Sequence, residues 1–173
     1  MFIHYKYPST KYLICVLWTF SGCIENGGTN DQLTSLNDLS KYGIPVSIPL
    51  PKECIIKQSP VSYEKGVIIT APHLNMQIDI FKEYADSDKN STKIKNRLLA
   101  EKQSEDDYQK LILDESQGFI FQTKDNDLGE IYHFFYVTIK NEVQIEFKEG
   151  IPQNKNLTYE EIANMYNLSK RAQ

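Results

Sequence analysis

The sequence predicts an α+β domain: a mainly antiparallel β-sheet packed with one helix from the middle of the chain and one at its C-terminus. Three observations carry this. From Lys41 onward apolar residues mostly alternate with polar ones, which is the period of half-buried strands. Tyr and Phe number 11 and 8 among 173 residues, and aromatic weight of this kind sits in strands. Two stretches break the alternation with helix chemistry: 92–106, rich in Lys, Leu, Ala, Glu and Gln without Gly or Pro, and the segment opening at Thr158.

Taken in order, "GIPVSIPLP" (43–51) places Ile44, Val46, Ile48 and Leu50 on one face, while Pro45, Pro49 and Pro51 confine the strand to an edge. "KGVIITA" (65–71) and "NMQIDIFK" (75–82) flank Pro72-His73 as a hairpin, with Met76, Ile78 and Ile80 facing inward. The helix over 92–106 has an apolar stripe of Ile94, Leu98 and Leu99 only, which fits a surface position. Strands follow at 109–113, 118–123, 130–140 and 142–148, with turns at 114–117, 124–129 and Asn141. "EIYHFFYVTIK" (130–140) is apolar on both faces, which predicts the central strand, whereas 142–148 alternates and predicts one wet face. The last helix carries a capping box, Thr158 with Glu161, and a hydrophobic staple, Leu157 with Ile162.

The bulk numbers bound what this domain can do. A chain of 173 residues with 40% apolar and 24% charged residues has one ordinary domain and a real core. Its net charge is −4, with no basic stripe, which argues against nucleic acid or an anionic lipid surface as the main partner. The three cysteines, Cys15, Cys23 and Cys54, offer no disulfide framework, and Cys54 reads as a small apolar residue of the body.

The first 22 residues read as a removable signal. Lys6 and Lys11 precede "YLICVLWTF" (12–20), which falls well short of the about 20 apolar residues a membrane-crossing helix needs. Phe20-Ser21-Gly22-Cys23 resembles the lipobox of bacterial lipoproteins, with Phe20 where that family has Leu. The resemblance implies cleavage before Cys23 and a diacylglycerol on its thiol. Ile24 follows, and in Gram-negative lipoproteins the absence of Asp there points to the outer membrane. Residues 23–40 then read as a lipid-attached flexible tether, and 41–173 as a single α+β domain. Such a tether has a reach of roughly 20–25 Å.

The element order of 41–171 resembles the PsbP/Mog1-like fold, including DcrB-type lipoproteins; a cystatin-like sheet is the alternative. Members of that group mostly bind protein partners and are not enzymes. As fold-level analogy this implies a binding or accessory module and no assigned chemistry.

The residues themselves agree. "KDNDLGE" (124–130) starts like a calcium loop, but Gly129 stands where the next carboxylate belongs and no bidentate Glu follows, so a hairpin turn accounts for it. His133 sits among aromatics and His73 in a Pro-containing loop, without further ligands at metal spacing. No nucleophile elbow and no phosphate-binding glycine loop occur, and no cofactor is expected. The candidate recognition surface is Tyr132, Phe134 and Tyr136, with His133 beside them; packing beneath the C-terminal helix is the alternative use of that ladder. The expected function is a lipid-anchored envelope protein that binds another protein. An envelope hydrolase with a site assembled across the sheet, and an inhibitor or immunity lipoprotein, are the alternatives. The anchor has a direct test: radiolabelled palmitate is expected to enter the wild type and not Cys23→Ala, and equal labelling of the two would remove it.

Overall fold

The computed structural model describes residues 33–60, 65–84, 89–150 and 156–173. All of them belong to the compact unit Asp31–Gln173. The signal segment, Cys23 and the tether up to residue 32 lie outside the described residues.

Strands β1 (Leu33–Asp38) and β2 (Ser47–Pro51) form a two-stranded antiparallel ribbon. Strands β3 (Ile55–Gln58), β4 (Lys65–Ala71), β5 (Met76–Tyr84), β6 (Tyr108–Asp114), β7 (Gly118–Asp125), β8 (Gly129–Lys140) and β9 (Val143–Glu149) form a second sheet. Its order is β3-β4-β5-β9-β8-β7-β6, antiparallel throughout. Helices α1 (Ser91–Gln103) and α2 (Tyr159–Lys170) complete the α+β fold.

The large sheet is two meanders, β3–β5 and β6–β9, zipped together where β5 pairs with β9. The predicted central strand is therefore displaced by one place. β9 holds the middle, and β8 lies beside it. Its two apolar faces have a different cause: a helix covers each of them, with α2 against β8 on one side and α1 against β8 and β7 on the other. The wet face expected for β9 is also partly covered, since Gln144 is only 2% exposed.

The main core lies on the α2 side. Ile78, Ile80, Phe134, Ile145 and Phe147 of the sheet pack with Ile162, Met165 and Tyr166 of α2 and with Ile44, Val46, Ile48 and Leu50. That last set is the face predicted from the Pro-rich strand. Leu39 is fully buried in the same core. Residues 33–40, placed in the tether by their polar composition, thus belong to the domain, as β1 and the start of a 3-10 turn over Ser40–Tyr42. Hydrogen bonds to β2 satisfy a backbone whose side chains are mostly polar. β3 escaped the alternation rule because it is four residues long and its Ile55 is half exposed.

Local chemistry fixes the ends. Asn141 and Glu142 both have positive φ, 49° and 63°, the pattern of a two-residue hairpin loop whose twist matches its strands. Asn90 caps α1 through its side-chain oxygen, which accepts from the Thr92 and Lys93 amides. At the other end the Ser104 hydroxyl donates to the Glu101 carbonyl at 2.6 Å, so α1 stops three residues before the predicted 106. The Thr158–Glu161 capping box forms as expected.

Helix α2 is held down by a polar clamp at the β6–β7 turn. The Tyr166 hydroxyl donates to Glu115 Oε2 at 3.0 Å, and Lys170 Nζ donates to Oε1 at 2.9 Å. The lysine bond holds the Glu115 carboxyl below its usual range. Beneath this clamp a side chain on Gly118 would have no room: a Cβ there would lie 2.6 Å from the Phe135 carbonyl oxygen and 2.7 Å from Tyr166 Cε2. Gly118→Ala is expected to destabilise the domain by about 2 kcal/mol through overpacking. The exposed Ser116→Ala should change it by less than about 0.5 kcal/mol. Urea unfolding midpoints at unchanged m-value read the difference.

Candidate ligand-binding cleft

The α1 side of the sheet carries a smaller core. Leu99 packs with Phe119 and Phe121, and Leu98, Tyr108, Leu111 and Phe135 close around them. At 13 residues α1 is about 20 Å long, and it lies mainly against β8 and β7, with Leu98, Leu99 and Lys95 also meeting residues of β6. Beyond its C-terminal end an open cleft of about 480 Å³ remains.

The floor of the cleft is aromatic. Period-two alternation sends Phe121, Thr123, His133 and Phe135 to this face, and the β7–β8 register sets Phe121 opposite His133 and Phe119 opposite Phe135. The His133 ring stacks on Phe121 at 4.9 Å and 26°. Phe119 stacks on Phe135 at 5.5 Å. The turn between these strands is the hairpin predicted for 124–129. Asp125 Oδ1 accepts from the Asp127 and Leu128 amides at 2.8 Å, and Gly129 takes φ 79°. Those two amide bonds lower the Asp125 pKa and tie its carboxylate to the turn.

His133 is locked from both ring nitrogens. Glu149 Oε1 lies 2.6 Å from Nδ1, and Thr123 Oγ1 lies 2.9 Å from Nε2. Because Glu149 can only accept, the neutral imidazole carries its proton on Nδ1, and Nε2 accepts from the Thr123 hydroxyl. Glu149 does a second job. Its Oε2 accepts from the Phe134 amide at 2.8 Å, beyond the last β8–β9 register pair, Phe135 with Lys148. A side chain thus finishes the ladder where the backbone of β9 departs.

Charges ring the floor. Asp79 and Lys148 sit opposite each other on β5 and β9, and Lys102, Glu105 and Asp107 line the cleft from the end of α1 and the link that follows. Lys102 Nζ donates to Glu105 at 2.7 Å and stands 5.9 Å from the Phe135 ring centroid. Lys148 Nζ is over Phe81 instead, 4.4 Å from its centroid.

The four residues singled out as a possible recognition surface divide between the two faces of β8. Phe134 and Tyr136 are 0% and 8% exposed, beneath α2 and edge-on to Tyr166. Tyr132, on their face, is partly open and edge-on to Tyr159. Only His133 reaches the cleft. The predicted turn at 124–129 is centred half a residue early: symmetric pairing about it sets Phe121 against Tyr132 and Thr123 against Glu130, whereas the observed turn, centred on Asp127, sets them against His133 and Ile131. Glu149, Lys102 and Asp79 carried no such signal. Cys54, half-buried, has its thiol pushed up by burial. Among the described residues no three or more His, Cys, Asp or Glu side chains gather as a metal site, and no helix is long and apolar enough to cross a membrane.

The double role of Glu149 has a measurable consequence. Glu149→Ala strands the Phe134 amide and frees Nδ1, and is expected to cost about 1–3 kcal/mol. Glu149→Gln keeps an acceptor and should cost less than half of that. The ¹⁵N shifts of neutral His133 should report the Nδ1–H tautomer in the wild type; an Nε2–H tautomer would refute the assignment.

No protein-family model matches the chain, and comparison with curated proteins returns no match. Among solved structures, the chain is similar to cyanobacterial PsbP (CyanoP) from Synechocystis sp. PCC 6803. The TM-score is 0.50 and the identity 14%, over 85% of this chain and 95% of that one. A crystal structure from Bacteroides thetaiotaomicron VPI-5482 aligns at TM-score 0.43 and 10% identity, over 74% of this chain and 44% of that one. At such identity the likeness to CyanoP concerns the fold alone, and that fold is the PsbP-like α+β architecture.

Proposed function

We propose that this protein is a binding or accessory module that engages another protein through the cleft beside α1. It works at the bacterial cell envelope, at the outer membrane, held there by a lipid on Cys23 and a flexible tether. The observation that carries the binding part is the cleft itself. Its floor of Phe121, His133 and Phe135 is aromatic, its rim is charged, and it lies on the α1 side of the sheet beyond the end of that helix. Aromatic floors with polar rims are what specific recognition uses. The PsbP-like fold, often an accessory module, supports the same reading, and the lipobox-like Cys23 supports the address.

A second reading has a specific observation behind it. Thr123, His133 and Glu149 are hydrogen-bonded in series, the order of a nucleophile, a base and its orienting acid. The binding reading is preferred because Thr123 lies inside a strand paired on both edges, with Tyr108 and Ile131. The main-chain amides beside it are committed to ladders, whereas acyl transfer needs donors aimed at the developing oxyanion.

A photo-crosslinking residue in place of Asp107, at the cleft rim, is expected to give one discrete adduct in native envelopes. The same residue in place of the exposed Lys57, on the edge strand β3, should not. Equal yields from the two positions would overturn the cleft as the binding surface. Hydrolysis of p-nitrophenyl acetate that disappears in Thr123→Val would replace the binding reading with the hydrolase.

A further inference from the structure

Resting on the binding reading, we infer that the cleft recognises a cationic side chain, Lys or Arg, presented by the partner protein, and that Lys102 occupies this place in the free protein. Three independent features converge. The carboxylates of Asp79, Glu105, Asp107 and Glu149 outnumber the ammonium groups of Lys102 and Lys148 around the cleft. The floor offers the part-exposed ring of Phe135, and an aromatic quadrupole attracts a cation within about 6 Å of its centroid. The C-terminal turn of α1, the negative end of the helix dipole, contributes Lys102 to the lining of the same space.

The chain itself shows that an ammonium fits. Lys102 Nζ is at cation–π distance from Phe135 while paired with Glu105. Its side chain is 29% exposed and that of Glu105 45%. This contact is an exposed helix-end pair, worth little and readily exchanged. The buried cation of the same helix behaves differently: Lys95 is 4% exposed and paired with Asp114, so it cannot be displaced without stranding a charge. A guanidinium or ammonium from a partner would take over the Phe135 ring and the Glu105 carboxylate, while Lys102 swings into water.

The test uses the ¹⁵N-labelled full-length chain and four acetylated, amidated tripeptides, Gly-X-Gly with X as Arg, Lys, Gln or Glu. The Arg and Lys peptides are expected to shift the amides of Phe121, Thr123, His133 and Phe135. The Gln and Glu peptides should bind at least about tenfold more weakly. Lys102→Gln should tighten the Arg peptide about fivefold by vacating the ring and carboxylate. Lys148→Gln removes the same charge from the rim but frees Phe81 instead, and should change affinity less than about twofold. Equal gains in the two variants would overturn Lys102 as the internal occupant. Equal binding of the Gln or Glu peptide at the same amides would overturn the cationic class and leave the cleft as a binding site. If no tripeptide shifts those amides while the crosslink through position 107 still forms, the cationic class alone is overturned; failure of both removes the binding reading as well.

Discussion

Covering both faces of β8 is the constraint from which the rest of the architecture follows. Its even-numbered residues, Tyr132, Phe134 and Tyr136, and its odd-numbered ones, His133, Phe135 and Val137, point to opposite sides of one sheet, and a single helix can serve only one side. Helix α2 and the β1–β2 ribbon close the even side into the main core. Helix α1 closes the odd side, but it is short and its apolar stripe is narrow, with Ile94 and Leu99 as its buried apolar residues. The uncovered remainder of the odd side is the cleft. The cleft therefore needs no special device in this fold, only a helix too small for the face it covers.

An incomplete cover exposes groups that a closed core would exclude, and the sequence places polar residues there accordingly. Gln144, Glu146, Lys148, His133 and Thr123 all sit on the α1 side. Each must find a partner or water, because a stranded polar group costs more than an ordinary hydrogen bond returns. Gln144 Nε2 donates to Glu146 at 2.5 Å, yet burial still raises the Glu146 pKa. A carboxyl that prefers its proton in the folded state contributes stability at low pH and loses it as pH rises through the folded pKa. The Glu146 carboxylate is thus a cost to the folded state once it ionises. Glu149, by contrast, satisfies a backbone amide and an imidazole with one carboxylate.

Much of this fold was legible in the sequence. Alternation found the inward faces of β2, β5, β8 and β9, and the Thr158 box and Asn141 turn fixed two boundaries. What stayed hidden depended on distant partners. Nothing local says that β5 pairs with β9, which is what moves β8 from the centre. Nothing in "LTSLNDLS" distinguishes a tether from a strand until β2 is seen beside it. The cleft was hidden for the same reason, since its lining comes from β5, β7, β8, β9 and the end of α1. The aromatic ladder was visible as residue types; the side on which each ring would end up under a helix was not.

The two ends of α1 differ in how they are held. The N-terminal half has the Asn90 cap and the buried Lys95–Asp114 pair, and Gln117 Nε2 donates to the Ser91 hydroxyl at 3.2 Å. The C-terminal turn has Leu98 and Leu99 on the aromatic cluster and an exposed Lys102–Glu105 pair. The ion pair at the cleft wall is therefore the solvent-exposed one, while the buried pair ties the other half of the helix to β6. A ligand that draws Lys102 off Phe135 works against the weakest contact of that wall and leaves the buried pair untouched.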